Sequence, residues 1–269
     1  MIEQAATAGH FLELHSSESP LLLPNPWDLG SAKLLASLGF KALATTSGGF
    51  AASLGRLDGS VTREEAVAHA AAVSAATGLP VNGDFENCFA DDPAGVAETV
   101  ALAVEAGIAG CSIEDWSGLE IYPLDLAVER VAAAAGAAHA GPAQLVLTAR
   151  AENHLRGRLD IDDTITRLRA YQQAGADVLY APGVRSMEDI RAILDAVELP
   201  VNVLPLPGVP PVAELAAAGV SRVSVGSAFA FAAYAGLLEA ANELRDSGTY
   251  TYLERTRVGG EAARTALAG

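Results

Sequence analysis

Short apolar runs alternate with longer segments of helical periodicity along most of the chain. The runs are three to five residues long with few polar breaks, as at 21–23, 79–81 and 201–204. Such runs are typical of strands buried on both faces of a parallel sheet. Glycines such as Gly107 and Gly175 separate a helical segment from the next run, as helix C-caps do. The pattern predicts eight β/α units, which we interpret as a single (β/α)8 TIM barrel.

An open doubly wound sheet has the same local pattern. We favour the barrel because the units number eight and no glycine-rich dinucleotide turn follows the first strand. The boundaries divide the chain into an N-terminal helix and loop at 1–20, the catalytic barrel at 21–246 and a C-terminal tail at 247–269.

The last predicted barrel helix, at 228–244, is apolar nearly all the way round between Ala228 and Leu238. An outer barrel helix normally keeps one face in water, so we expect this helix to pack against another subunit. The alternative is that the N-terminal segment and the tail cover it.

Composition excludes several classes of protein. A net charge of −16 disfavours binding to nucleic acid or to an anionic membrane surface. No apolar run reaches the ~18 residues of a membrane helix, and the N-terminus lacks a signal-peptide pattern, so we expect a cytoplasmic protein. The two cysteines, Cys88 and Cys111, form neither a disulfide framework nor a thiolate metal site.

Acidic residues cluster at the predicted carboxyl ends of the strands, where a barrel places its active site. Asp84 and Glu86 follow the third strand, Glu114 follows the fourth, and Asp58 lies in the loop after the second. Carboxylates this close repel one another unless a cation or protons neutralise them, and oxygen ligands suit Mg²⁺, with Mn²⁺ as an alternative. Taken by themselves, Asp84 and Glu86 fit a solvated acidic turn equally well.

The neighbouring strand ends carry groups suited to an anion. Arg150 follows the fifth strand and would bind a carboxylate through its forked guanidinium. Ser47, Gly48 and Gly49 follow the second strand and would present backbone N–H groups to the same anion. With Asn87, after the third strand, they form the predicted substrate-binding set. A cation, an arginine and N–H donors at one barrel mouth suit a small 2-oxo acid or its enolate.

Six motifs occur in order between residues 20 and 245. They are Leu23-Pro24-Asn25-Pro26-Trp27-Asp28, Thr46-Ser47-Gly48-Gly49, Leu54-Gly55-Arg56-Leu57-Asp58, Gly83-Asp84-Phe85-Glu86-Asn87-Cys88-Phe89, Ser112-Ile113-Glu114-Asp115 and Thr148-Ala149-Arg150-Ala151-Glu152. Together they resemble the isocitrate lyase/phosphoenolpyruvate mutase superfamily, including its 2-methylisocitrate lyase and carboxyvinyl-carboxyphosphonate phosphorylmutase-like members. The resemblance implies a barrel whose eighth helix is swapped between subunits of a dimer or tetramer.

The resemblance also implies a metal site and a substrate. Mg²⁺ would be held by Asp84, Glu86 and Glu114, partly through water, with Asp58 nearby. A 2-oxo acid would chelate the metal, and its carboxylate would be held by Arg150 and the 47–49 backbone. Asp84-Phe85-Glu86 stands where the family usually has Asp-x-Asp, a change compatible with metal binding.

The loop after the fourth strand departs most from the family. Residues 116–123 lack the Cys, Lys and His of the gate loop in the isocitrate and 2-methylisocitrate lyases, and the Lys and Asn of the phosphonomutases. Cys88-Phe89-Ala90 replaces the family's Gly-Tyr-Gly. The Cys-dependent lyase mechanism therefore does not carry over to this chain.

We therefore expect a Mg²⁺-dependent enzyme that cleaves or forms a C–C bond next to a 2-oxo acid through a metal-stabilised enolate. Asp58, Glu114 and Arg150 are its candidate catalytic residues. The alternatives are a C–P bond phosphonomutase or phosphonopyruvate hydrolase, and a non-catalytic barrel scaffold. By position alone, the candidates for the general acid or base are Tyr122, His154, Tyr180 and Cys88.

Two other barrel chemistries have less support. A Schiff-base aldolase needs a lysine in the barrel mouth, but Lys33 falls in a predicted helix and Lys41 at the entry end of a strand. A sugar-phosphate enzyme would use Gly226-Ser227 at a helix N-terminus, which leaves the acidic cluster without a role. The expected partners are a small anionic 2-oxo acid or phosphonate and further copies of the chain.

Overall fold

A computed structural model describes the backbone of residues 2–268 and the side chains of residues 4–268. Eight strands alternate with helices along the chain. The strands are β1 (Leu21–Leu23), β2 (Leu43–Ala44), β3 (Val81–Asp84), β4 (Gly110–Glu114), β5 (Val146–Arg150), β6 (Val178–Tyr180), β7 (Val201–Val203) and β8 (Arg222–Ser224). The α-helices are α1 (Ile2–Glu13), α2 (Leu29–Ser37), α3 (Ser47–Ser53), α4 (Arg63–Thr77), α5 (Pro93–Glu105), α6 (Leu124–Ala138), α7 (Ile161–Gln173), α8 (Met187–Ala196), α9 (Val212–Ala218), α10 (Ala228–Ser247) and α11 (Leu253–Leu267).

The strands form one parallel sheet in the order β1-β8-β7-β6-β5-β4-β3-β2. The Ala44 N–H donates to the Pro24 carbonyl at 3.1 Å and brings the two ends of the sheet together. The fold is therefore a (β/α)8 TIM barrel, as the alternation of apolar runs and helices predicts.

Local sequence accounts for where many of the helices begin. Asp28 and Thr62 each form a capping box with the residue three positions on, and Asp92 accepts from the first N–H groups of α5. The buried helix faces, with Ala70 and Val100 among them, pack on the outward apolar side chains of the strands in one continuous core. The carboxyl ends of the strands all open on one face of the barrel, which positions the site.

The barrel interior is polar below that face. Arg222 of β8 is 2% exposed and donates to Asn202 at 3.0 Å and to Thr148 at 3.1 Å. Its Nη1 lies 3.3 Å from Nε2 of His15, which comes from the 3-10 turn Leu14–Ser16 before β1. Burial, the largest cause, and the Arg222 charge lower the pKa of His15 to about 3, so this imidazole is neutral.

Three elements differ from the sequence prediction. The segment starting at Ser47 is the helix α3 rather than a loop, because Thr46 caps its N-terminus. Helix α10 extends to Ser247, beyond the predicted 244. The predicted tail contains the helix α11, which packs against α2. None of the described helices is both long enough and apolar enough to cross a membrane.

Candidate active site

Two adjoining cavities open at the carboxyl ends of the strands. The first has a volume of about 170 Å³, and the second, under the loops after β3 and β4, about 570 Å³. Ser47, Asp58 and Arg150 line both. The first cavity is also lined by Asn25, Asp84, Ser112, Tyr180, Arg222 and Ser227, and the second by Glu86, Asn87, Glu114, Trp116 and Arg156. The predicted acidic residues therefore lie around one connected space.

Arg150 lies at the centre of a ring of carboxylates. Its Nη1 lies 2.9 Å from Oδ1 of Asp84, and its Nη2 lies 3.0 Å from Oε2 of Glu114 and 2.8 Å from Oε1 of Glu152. The carboxylates of Glu114 and Glu152 are 7% and 0% exposed. Charged groups that are this deeply buried persist only when paired. In this structure Arg150 is engaged by the protein's own acids, whereas the sequence analysis assigned it to the substrate.

Glu86 carries the least compensated charge of the cluster. Its Oε1 is buried and has no hydrogen-bond partner among the described residues. Burial, the largest cause, together with the nearby charges of Asp84 and Asp58, raises the pKa of Glu86 to about 7. Burial likewise raises the pKa of Glu114 well above its usual range, an effect that Arg150 opposes.

The donor set fits a divalent cation by its chemistry. Asp58, Asp84, Glu86, Glu114 and Glu152 surround the cavities, and the guanidinium groups of Arg150 and Arg156 offset only part of their charge. Oxygen donors with a surplus of negative charge are what Mg²⁺ selects. Within the described residues, no three His, Cys, Asp or Glu side chains are already arranged around one point as a metal site. The fit therefore depends on the uncompensated oxygen of Glu86 and the surplus charge.

Two of the three predicted N–H donors after β2, those of Ser47 and Gly49, are used by the protein itself. The Ser47 N–H donates to Oδ2 of Asp84 at 2.9 Å, and the Gly49 N–H donates to the Thr46 hydroxyl at 3.3 Å. Gly48 is needed for space, because a Cβ there would lie 2.8 Å from Oγ of Ser227. Ser47 therefore orients the candidate metal ligand Asp84, whereas the sequence analysis assigned this residue to the substrate.

The four positional candidates for the general acid or base separate clearly. Tyr180 lines the first cavity, and burial raises the pKa of its hydroxyl to about 12. Burial also raises the pKa of Cys88 to about 12, and that thiol is fully enclosed. The Tyr122 hydroxyl is held by Asn87 at 3.1 Å and by Asp91. His154 lies 3.2 Å from the Thr164 hydroxyl.

Sequence reasoning left Arg156 and the buried Asp115 without a definite role. Arg156 lies 4.5 Å above the Trp116 ring, with its Nη2 3.1 Å from Oε2 of Glu152 and 3.7 Å from Oε1 of Glu114. Asp115, 3% exposed, accepts from Arg167 at 3.0 Å and from the Tyr171 hydroxyl at 2.6 Å. The position of Asp115 in the Ser112-Ile113-Glu114-Asp115 motif was a signal that could have indicated its importance. The stacking of Arg156 on Trp116 has no corresponding signal in the sequence.

The cavity floor adds polar residues that the strand-end reading missed. Arg222 and Ser224 of β8 and Asn82 of β3 line its deepest part. They are inward-facing residues within the strands, whereas the prediction considered mainly the residues that follow the strands. Polar residues spaced two apart in an otherwise apolar run were the signal that could have found Arg222 and Ser224.

The sequence and the fold of this chain match those of known proteins. The family model described as phosphoenolpyruvate phosphomutase matches residues 11–245. A crystal structure of a provisionally assigned lyase/mutase from Burkholderia cenocepacia J2315 shares 51% identity and superposes with a TM-score of 0.92, covering 94% of this chain and 93% of that chain.

Two further relatives carry named activities. The oxaloacetate decarboxylase of Chromohalobacter salexigens is 30% identical over 250 residues, which are 88% of this chain and 84% of that protein. The structure of oxaloacetate acetylhydrolase in complex with the product oxalate shares 28% identity with a TM-score of 0.82, covering 92% of this chain and 88% of that chain.

Proposed function

The chain belongs to the phosphoenolpyruvate mutase/isocitrate lyase superfamily and is an enzyme of the carbon–carbon lyase or phosphonomutase class, and we propose that it cleaves or forms a C–C bond next to a small 2-oxo acid with Mg²⁺. The observation that carries the proposal is the ring of carboxylates around Arg150, together with the unpartnered buried oxygen of Glu86. This arrangement has a place for one divalent cation and one small anion.

Asp84, Glu86 and Glu114 would hold the Mg²⁺, with Asp58 nearby. When bound, the ion supplies positive charge that stabilises the negative charge developing on the 2-oxo group. Mn²⁺ would serve the same carboxylate set.

Arg150 would bind the substrate carboxylate. Its guanidinium has five N–H donors, and it would exchange part of its contact with Asp84 or Glu114 for that carboxylate. Glu152, fully buried and 2.8 Å from Nη2, keeps the guanidinium in position during this exchange. Ser47 and Asn87, which line the cavities, would complete the substrate-binding face, and Gly48 and Gly49 would support it through the backbone behind Ser47.

Tyr180 is our candidate for the proton donor to the enolate. Its ring lies under the Arg150 guanidinium, with CZ of Arg150 5.4 Å from the ring centroid, and it lines the first cavity. With a pKa near 12 its hydroxyl holds its proton at neutral pH.

In place of the gate-loop residues, the 116–121 segment is closed by an antiparallel bridge between Trp116 and Ile121.

The experiment is turnover of a panel of small acids with Mg²⁺ and with EDTA. The panel holds oxaloacetate, 2-methylisocitrate, phosphonopyruvate and an acylpyruvate, and product formation is followed by a coupled assay. Because two of the relatives are named for oxaloacetate, we expect it to be turned over fastest. Asp84→Ala should abolish this activity, and Asp125→Ala, on the exposed first turn of α6, should leave it unchanged.

Other outcomes select between the alternatives. Turnover of phosphonopyruvate alone would establish the C–P chemistry for which the family model is named. No turnover of any member, with no Mg²⁺ binding by calorimetry, would refute the metal-site proposal and leave the barrel as a scaffold.

We also propose that α10 is exchanged between two copies of the chain. Of the described α10 side chains Ala230 is buried, whereas Phe231, Leu237 and Leu238 are 53%, 66% and 62% exposed. An apolar groove of about 380 Å³ lies between β8, β1 and α9, where the barrel's own eighth helix would pack. In that groove the strand residue Leu22 is left 42% exposed.

The test of this exchange is the mass of the protein in solution by light scattering. A dimer or tetramer is expected, and Leu237→Glu with Leu238→Glu should shift it toward monomer. A wild-type monomer at micromolar concentration would refute the exchange.

A further inference from the structure

The loop that carries Glu86 has an unusual backbone. Between β3 and α5, the non-glycine residues Glu86, Cys88 and Phe89 have φ angles of 49°, 58° and 56°. L-residues rarely adopt this left-handed region because Cβ approaches the following carbonyl. No glycine lies between Gly83 and Gly95 to relieve it. A segment with three such residues holds this conformation only if the surrounding structure imposes it.

Arg130 of α6 supplies contacts that do so. Its side chain is 1% exposed. Nη2 donates to the Asn87 carbonyl at 2.6 Å, and Nη1 donates to the Asp91 carbonyl at 2.7 Å and to the Ala90 carbonyl. The guanidinium lies 4.1 Å from the centroid of the Tyr122 ring. One buried cation therefore bonds three carbonyls of the strained loop.

The ionic environment separates Arg130 from Arg150 and Arg167, two other arginines near the site. Arg150 and Arg167 are paired with carboxylates, whereas no carboxylate lies within 4.0 Å of the Arg130 guanidinium in the described structure. Its charge is compensated by backbone dipoles of the loop and by an aromatic face. If the loop opened, this buried guanidinium would lose its partners, so the two are energetically coupled.

The loop also connects to the second candidate ligand. The Glu86 carbonyl accepts the Glu114 N–H at 2.9 Å, so a shift of the loop reaches the end of β4. Tyr122 closes the arrangement on the other side, since its hydroxyl bonds Asn87 and Asp91.

We propose that Arg130 is a positioning residue that holds the loop 85–91, with its left-handed residues Glu86, Cys88 and Phe89, in the conformation that aims Glu86 into the cavity before any cation binds. It does not touch the cavity itself, and it acts through the backbone of the loop. The inference rests on the proposed function in one respect, namely that Glu86 is a ligand for Mg²⁺. Its conformational half is independent of that assignment.

The test compares Arg130→Met and Arg130→Lys with the wild type in two measurements. The first is hydrogen exchange of the metal-free protein at the Cys88 and Phe89 amides, which are bonded inside the loop at 2.6 Å and 3.0 Å. We expect exchange to rise about tenfold or more in Arg130→Met. The second is Mg²⁺ binding by calorimetry, where loss of a residue supporting a ligand typically weakens affinity about 10- to 100-fold.

Cys88→Gly provides the decisive rescue. Glycine adopts a φ of 58° without steric cost, whereas Cys88→Ala removes the same fully buried thiol but keeps the Cβ. Relative to Cys88→Ala, Cys88→Gly should therefore recover Mg²⁺ affinity about threefold or more in the Arg130→Met background, and the two changes should differ little in the wild-type background. Arg169→Met is the matched control, because Arg169 also bonds a carbonyl, that of Ala196, at 2.8 Å but far from the loop.

Unchanged hydrogen exchange of the loop in Arg130→Met would overturn the inference. Equal Mg²⁺ affinities of the Cys88→Gly and Cys88→Ala changes in the Arg130→Met background would overturn it as well. Should Arg130→Met not fold, Arg130→Lys, which keeps the charge but loses the fork, carries the same comparison. Faster loop exchange with no Mg²⁺ binding even in the wild type would confirm the positioning role and refute the metal site, so the two failures are distinguishable.

Discussion

Two consecutive acidic residues, Glu114 and Asp115, end in very different surroundings. Glu114 shares the Arg150 guanidinium with Asp84 and Glu152, and the charge around it stays negative. Asp115 faces the opposite way and receives Arg167, the Tyr171 hydroxyl and the Glu152 N–H at 2.6 to 3.0 Å. Both carboxylates are nearly fully buried, at 7% and 3% exposed.

The difference separates a group held ready for a ligand from a group that completes the fold. Asp115 is fully satisfied by its own chain and joins the loops after β4 and β5 to α7. Glu114 and Glu86 are not, and burial raises the pKa of each. A buried charge that the protein leaves uncompensated stores binding energy for a cation.

The largest expected effect is on the Arg150 side. Arg150→Met should lower kcat/KM for the best substrate by about 1000-fold or more, because it removes the cation proposed to bind the substrate carboxylate. Steady-state kinetics with saturating Mg²⁺ measure it. Circular dichroism should confirm that the variant folds. A loss smaller than about tenfold would argue that Arg150 serves only to pair the protein's own acids.

In contrast to a change at Arg150, Asp115→Asn should lower the stability of the fold. Removing the Asp115 charge breaks a buried ion pair, although Arg167 keeps its 3.0 Å contact with Asp163, so we expect a loss of about 2 to 3 kcal/mol in the free energy of unfolding. Urea-induced unfolding measures this loss. The Kd for Mg²⁺ should change by less than about threefold. A large change in Kd with intact stability would show that Asp115 belongs to the site, and the comparison would fail.

The affinity for Mg²⁺ should depend on pH. The pKa of Glu86 is raised from 4.5 to about 7, so below pH 7 a proton competes with Mg²⁺. Affinity should weaken by up to about tenfold per pH unit below 7 and level off above it. Calorimetry between about pH 5.5 and pH 8, which extends about one unit or more to either side of the Glu86 pKa, measures this change in Mg²⁺ affinity. Glu86→Gln should reduce the pH dependence, and any part that remains is expected from Glu114, whose pKa burial also raises. An unchanged profile would assign the dependence to a group other than Glu86.

The same shift affects the metal-free protein with a definite sign. Because the folded pKa lies above the unfolded value, protonated Glu86 stabilises the fold below pH 4.5, and this contribution is lost as pH rises to about 7. The Tm of the metal-free wild type relative to Glu86→Gln should therefore fall across this range and recover when Mg²⁺ is added.

The smallest expected effect is that of Tyr171→Phe. It removes one 2.6 Å hydrogen bond to Asp115 while Arg167 remains, so stability should fall by about 1 to 2 kcal/mol. Turnover should stay within about twofold of the wild type. A drop in turnover larger than the drop in stability would show that the Asp115 network transmits to the cavity.

Much of the fold could be predicted because the relevant signals are local. Apolar runs, helical periodicity and capping residues such as Asp28 and Thr62 recur in order, and the (β/α)8 prediction is confirmed. The superfamily and the enzyme class are confirmed as well. Mg²⁺, the cytoplasmic location, the swapped helix and the tetramer stay predictions.

The candidate site was predictable to the extent that strand ends meet at one face of a barrel. That rule places Asp84, Glu114 and Arg150 together without knowledge of any contact. The rule does not determine which groups each guanidinium contacts. Arg150 turned out to be shared by three acids, and the Ser47 N–H points to Asp84 rather than to an open cavity.

Local pattern was sufficient for the order of the strands, the barrel and the acidic residues and arginine at its mouth, since these follow from periodicity and chain connectivity. Pairings between distant positions needed the folded chain. Arg130 reaches carbonyls about 40 positions away, and Arg167 pairs with Asp115 across 52. Such contacts depend on how helix faces pack against loops and on the volume left between them. Packing of this kind is a property of the whole barrel and leaves no periodic signal in the sequence.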